Sequence, residues 1–179
     1  MMNDIIIIAL KDEAPNLAKH KNVIFCGVGK VNAAIAATEV MQFFNPKRII
    51  NFGTAGGITV GTGLHRCGSF LQRDMLCMPL GFEIGQTPFE SHIIIKTGDG
   101  LLCSSGDNFV TEKVIQGDVV DMEAYAIAKV CKLMSVNFSC YKYVTDSANK
   151  DAPKEWKEMV AEGEKEYLKI IEQENITLY

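Results

Sequence analysis

Four consecutive isoleucines, Ile5–Ile8 in "DIIIIAL", constrain this chain more than any other feature. A β-strand points successive side chains to opposite faces, so an unbroken apolar run leaves neither face for water. Such a strand suits a sheet covered on both sides, as in parallel or mixed α/β architectures. Strands of similar character follow at "NVIFCGV", "RIINFG", "GSFLQ", "HIIIKTG", "GLLCSS" and "GDVVDM", and a last one at "FSCYKYVTD". Helical spacing appears in "KVNAAIAATEVMQFF", with Ala33, Ile35, Ala36, Val40, Phe43 and Phe44 apolar. The pattern also predicts a helix over Glu123–Met134, with Ile127, Cys131 and Met134 on one stripe, and an amphipathic closing helix over "APKEWKEMVAEGEKEYLKIIEQE". Strand and helix alternate without a linker or repeat. The chain therefore reads as one α/β domain over residues 1–179, a central mixed, twisted β-sheet flanked by helices.

Composition removes several function classes. A length of 179 residues supports one sizeable core. The net charge of −4 lacks the basic footprint of a nucleic-acid binder. No apolar run approaches the ~20 residues that span a bilayer. "DIIIIAL" is short and has no basic region before it, so a cytoplasmic protein is expected. The six cysteines form no CxxC pair and the three histidines no ligand spacing, so neither metal nor disulfide is expected. "CGVGKVNAA" holds a weak G-x-G turn, but no acid ends "RIINFG" to bind a ribose, and a P-loop is absent. No cofactor is expected.

Ligands of α/β folds gather at the carboxyl ends of the strands. Glu13, Thr54–Gly57, Asp121–Glu123 and Asp146 all fall there. Each has two readings. Glu13 belongs either to a solvated charge cluster with Lys11 and Asp12 or to a water-activating base. "GTAGG" is a tight turn, or a place where backbone approaches a flat ligand. Glu123 either steadies its own helix start, whose dipole and free N–H groups keep it ionised, or accepts two vicinal ribose hydroxyls. Asp146 is an N-cap or Asx-turn residue, or a buried acid with a raised pKa that protonates a leaving group. Lys142, four residues earlier on the same strand, could share its face and tune it.

Together these segments resemble the nucleoside phosphorylase/nucleosidase superfamily, in its 5′-methylthioadenosine/S-adenosylhomocysteine nucleosidase branch. "IIIALKDEAPNL" is similar to its first strand and following acid, "CGVGKVNAAIAAT" to its G-x-G-K segment, and "NFGTAGG" to its N-x-G-[ST]-A-G-G stretch. "SGDNFV" resembles its purine-stacking segment, "VVDMEAYAIAKVC" its V-[ED]-M-E motif and "YKYVTDSAN" its S/T-D strand end. The resemblance implies that Glu13 activates water and Asp146 protonates N7 of the departing purine. It implies that Glu123 grips the ribose, supported by Asp121, while Met122 packs on the sugar. Phe109 would stack on the base, beside Val110 and the Thr54, Ala55 and Gly56 backbone. Lys142 stands where many bacterial members carry Arg. A small-molecule nucleoside substrate and a homodimer are implied, with the apolar "MLCMPLGF" (Met75–Phe82) as the patch to be covered.

Two alternatives stay open. A phosphorylase would need several arginines for phosphate, and the chain has only Arg48, Arg66 and Arg73, with Glu13 repelling the anion. A catalytically silent nucleoside-binding domain is the other, motivated by a chain shorter than the family's, mainly between Glu13 and Cys26 and between Gly57 and Gly106. Retention of Glu13, Glu123 and Asp146 together argues against it.

Overall fold

In the computed structural model, which describes residues 4–112 and 116–179, the isoleucine run forms β1 (Asp4–Ile8) with all four isoleucines fully buried. The chain continues through β2 (Val23–Phe25), α1 (Lys30–Phe44), β3 (Arg48–Gly57), β4 (Gly63–Gln72), β5 (Ile94–Lys96), β6 (Leu101–Ser105) and β7 (Val119–Asp121). It ends with α2 (Ala124–Leu133), β8 (Asn137–Asp146), α3 (Ala152–Met159) and α4 (Glu164–Gln173). Ile5 and Ile7 enter an apolar cluster with Ala33 and Ala37 of α1 and Ile127 of α2. Ile6 and Ile8 enter a second cluster with Phe52, Tyr141, Tyr167 and Ile171. The strand is covered on both faces, as its composition requires.

The eight strands make one mixed sheet. β1 pairs in parallel with β2 and β3, and β3 pairs in parallel with β8. β4 runs antiparallel to β8 and β5 but parallel to β6, which is parallel to β7. β1 stops pairing at Asn51 of β3, and β7 then takes the vacated edge, antiparallel at Gly56 and Gly57. The strands β3, β8, β4, β6 and β7 thereby close a ring. A twisted sheet that curls this way brings the ends of β3, β7 and β8 together. No helix among the described residues is long and apolar enough to cross a membrane.

Several local expectations are corrected. "GTAGG" is not a turn: β3 continues through Gly57, because β8 and β7 supply ladder partners on both edges. The closing helix is two helices, α3 and α4. Gly163 lies so close to Tyr167 that an added Cβ would meet its Oη at 2.6 Å. Tyr167 itself stacks on Phe52 with centroids 4.8 Å apart, and buried Glu164 accepts the Asn16 and Leu17 N–H groups. These contacts set where α4 begins. On α1 the buried stripe is Ala33, Ala36, Ala37, Val40 and Met41, whereas Ile35 and Phe43 face solvent. Met134 lies past the end of α2 and is also exposed.

Candidate active site

Glu13 sits in a short 3-10 turn just beyond β1 and is only 3% exposed, so it is no solvated loop charge. Its Oε1 accepts the Thr54 backbone N–H and the Thr54 hydroxyl, both at 2.7 Å. Its Oε2 accepts the Leu10 N–H at 2.9 Å. Three donors hold a buried carboxylate in one orientation, which offsets much of its desolvation. The indole Nε1–H of Trp156, on α3, donates to the same Thr54 hydroxyl at 2.9 Å.

Asp121 and Glu123, one residue apart, divide their roles differently from the sequence reading. α2 starts at Ala124, and Asp121 Oδ2 accepts the Ala124 N–H at 2.8 Å and the Glu123 N–H at 3.3 Å. Asp121 is thus the acid that steadies the helix start. Burial works against its charge, but the Lys142 ammonium 2.8 Å from Oδ2, the Ser105 hydroxyl and the Ala124 N–H hold its pKa at about 2. Glu123, released from that task, accepts the Gly29 N–H at 2.9 Å. The expectation that the helix end keeps it readily ionised is overturned. Burial and the neighbouring Asp121 charge push its pKa up to about 7.

Lys142 is corrected as well. It is 1% exposed, and its ammonium pairs with Asp121 beneath the cavity instead of lining it. It does not share a face with Asp146. The register shifts at the Ala55–Gly56 step of β3, where Ala55 faces Val144 but Gly56 faces Asp146, so Thr145 of β8 is the extra residue and the alternation along β8 slips by one. Burial alone would lower the Lys142 pKa, but the Asp121 charge beside it raises it well above the ordinary lysine value.

Asp146, 6% exposed, accepts the Ala148 N–H at 3.0 Å and the Thr145 hydroxyl at 2.8 Å. The first bond is an Asx-type turn, so the turn reading of this residue holds, in a side chain that is also buried. Burial raises its pKa above the ordinary aspartate value. Gly56 lets β3 pass close by: a Cβ there would lie 2.9 Å from Asp146 Oδ1 and 3.0 Å from Val120.

These groups surround one cavity of about 290 Å³, close to the lower end of small-molecule pockets. Glu13, Glu123 and Asp146 line it, with Thr54, Ala55, Gly56, Met122, Phe109 and Val110 between them. Of the sequence-derived site residues only Lys142 stays outside; Asp121 borders it with its carboxylate turned inward. Phe109 is half-exposed and forms an outer wall. Its loop is pinned by Asp107, which accepts the Lys30 N–H at 2.7 Å and donates its own N–H to Asp74 at 2.8 Å.

Among the wall residues that the sequence reading did not single out, Trp156 and Arg73 carry the most specific contacts. Trp156 looked like one apolar position of an amphipathic helix, and only its i+3 spacing from Pro153, which also lines the cavity, hints at a second role. Arg73 follows β4 without a motif around it. Its guanidinium donates to the carbonyls of Ser104, Asp121, Gly106 and Asn108, tying three segments of the wall together. Burial lowers its pKa, although carbonyl partners and nearby acids keep it charged.

Fold and cavity define an α/β small-molecule site in which three separated carboxyl groups and an aromatic wall meet at strand ends. The sequence model of the phosphorylase superfamily matches residues 5–65 and 90–173, and the chain belongs to that superfamily. A 5′-methylthioadenosine/S-adenosylhomocysteine nucleosidase of Staphylococcus haemolyticus is 29% identical over 202 residues, covering 96% of this chain and 88% of the relative. The Staphylococcus epidermidis nucleosidase of the same name is 32% identical over 179 residues, covering 83% and 78%. Among solved structures, futalosine hydrolase of Helicobacter pylori superposes with a TM-score of 0.87 at 19% identity, over 97% of this chain and 99% of the other. The 5′-methylthioadenosine/S-adenosylhomocysteine nucleosidase of Helicobacter pylori with butyl-thio-DADMe-Immucillin-A gives 0.85 at 20%, over 97% and 99%. At these identities the structural likeness speaks for the fold.

Proposed function

We propose that this chain hydrolyses the N-glycosidic bond of a purine nucleoside of the 5′-methylthioadenosine/S-adenosylhomocysteine type and releases the free base. The observation that carries this is the placement of Glu13, Glu123 and Asp146 around one nucleoside-sized cavity, each with a different environment. Asp146, its pKa raised by burial, is the acid that donates a proton to N7. The C1′–N9 bond breaks with its electron pair going to the base, which leaves as a neutral purine. The sugar passes through an oxocarbenium-like state that nearby carboxylates stabilise. Glu13 takes a proton from the attacking water, whose oxygen bonds to C1′. Glu123 faces the ribose hydroxyls, Met122 the sugar and Phe109 the base, with Val110 and the Thr54–Gly56 backbone beside it. Asp121 acts through Glu123, and Lys142 acts through Asp121.

Hydrolysis is favoured over phosphorolysis because the arginines are committed elsewhere. Arg73 is spent on backbone carbonyls, Arg48 pairs with Asp4 and Glu174, and Arg66 does not line the cavity. The test is purine release from 5′-methylthioadenosine in phosphate-free buffer. Release that requires phosphate and yields a sugar 1-phosphate would refute hydrolysis, and tight binding without turnover would favour a silent binding domain. A panel of 5′-modified adenosines identifies the 5′ substituent. The reading extends to a single domain, to a cytoplasmic setting suited to six free thiols, and to a homodimer. Leu76, Met78 and Leu80 are exposed apolar residues that a second copy would cover, and light scattering showing a monomer would refute that.

A further inference from the structure

We infer that Trp156 is a positioning residue for Glu13, acting through the hydroxyl of Thr54; this rests on the reading of Glu13 as the water-activating base. The geometry forces a direction on the chain of hydrogen bonds. An indole nitrogen can only donate, so Thr54 Oγ1 must accept from Trp156 at 2.9 Å. A threonine hydroxyl has a single hydrogen. With the indole occupying one acceptor direction, that hydrogen is directed to Glu13 Oε1, 2.7 Å away. The relay therefore runs Trp156 to Thr54 to Glu13 and cannot run in reverse. Linked donors polarise one another, so the indole makes the hydroxyl a stronger donor to the carboxylate.

The relay adds to two backbone donors, Thr54 N–H on Oε1 and Leu10 N–H on Oε2. What remains of the carboxylate is left to face the cavity. Lys142 reaches the same face of Gly53 as Glu13 does: an added Cβ there would meet Lys142 Nζ at 3.1 Å and Glu13 Oε1 at 3.5 Å. Lys142 itself pairs with Asp121, so the orientation of the Glu13 carboxylate is set by Thr54 and Leu10. Trp156 reaches it from α3, 102 residues beyond Thr54 in sequence. Docking of α3 against the cavity is then part of assembling the base. Pro153 and Trp156, three residues apart on one helix face, both line the cavity, so the same docking closes its wall.

The substitution that isolates the N–H is Trp156→Phe, which keeps an aromatic wall and removes the donor. We expect kcat for purine release to fall about tenfold, the fold-change of one ordinary hydrogen bond, with KM within about twofold of the parent. Thr54→Val should also lower kcat, and Trp156→Phe should lower it no further in that background. Trp156 is the sole tryptophan, so its indole N–H gives a single NMR cross-peak. Glu13→Gln should move that peak in the parent and leave it in place in the Thr54→Val protein. Any of three results overturns the relay: a raised KM with unchanged kcat in Trp156→Phe, an equal kcat loss in both backgrounds, or an indole peak blind to Glu13→Gln. The two readings fail separately. A folded parent that releases no purine refutes the nucleosidase reading, while the indole peak still decides the relay.

Discussion

Replacing Lys142 with methionine removes the cation beneath the cavity while keeping most of its volume. The ammonium lies 2.8 Å from Asp121, and both side chains are at most 1% exposed. Breaking a buried pair strands the remaining charge, at a cost of about 3–5 kcal/mol. A second route gives a consistent size. Asp121 is held at about 2 against an ordinary 3.8, a depression worth on the order of 2–3 kcal/mol at neutral pH. A depressed carboxylate contributes stability that is present above its unfolded value and lost as pH falls through the folded value. Without Lys142 that contribution vanishes and Asp121 takes up a proton instead. The parent's advantage over Lys142→Met should therefore be largest near pH 7 and shrink as pH falls below 4. Urea unfolding followed by tryptophan fluorescence measures this. A loss of 3–5 kcal/mol would lower Tm by about 6–20 °C for a chain of this size. The double variant Asp121→Asn/Lys142→Met should regain part of the loss, because an uncharged amide replaces the stranded charge. A Lys142→Met protein within ~1 kcal/mol of the parent at pH 7, or a double variant no more stable than the single, would refute the reasoning.

Asp146→Asn keeps the Ala148 hydrogen bond but carries no proton for N7, so kcat should fall by roughly 10²–10⁴-fold with little change in Tm. In the parent, steady-state rates should decline as pH rises through the raised Asp146 value; a rate that climbs steadily to pH 9 would contradict this. Glu123, raised to about 7, contributes stability that is complete below its unfolded value of 4.5 and is lost as pH rises through 7. Glu123→Gln should accordingly gain on the parent by up to ~3 kcal/mol between pH 5 and pH 8, while discriminating less against a 2′-deoxy substrate. Equal pH slopes in the two unfolding series would count against it. Gly56→Ala places a methyl 2.9 Å from Asp146 Oδ1, so we expect about 1–3 kcal/mol of destabilisation and a lowered kcat; parent-like turnover would show that the carboxyl yields without consequence.

Much of the molecule was decided by local chemistry that a sequence displays. Ile5–Ile8 can satisfy a pleated strand only with cover on both faces, and the two clusters that receive them lie on opposite sides of the sheet. Acids placed just past apolar strands had to end near the strand termini, so Glu13, Glu123 and Asp146 were legible as a group. Tertiary structure alone decided how they divide the work. The irregularity at Thr145 of β8 broke the two-residue period between Lys142 and Asp146, while Lys142 paired with Asp121. Asp121, rather than Glu123, took the N–H groups at the start of α2, which left Glu123 raised and facing the cavity. Trp156 and Arg73 became part of the wall through partners tens of residues away, Thr54 in one case and four carbonyls in the other. Side-chain type and periodicity report a residue's own preference for burial or turn. Which partner meets a buried charge depends on register and on the packing of distant segments, and those exist only once the sheet has closed.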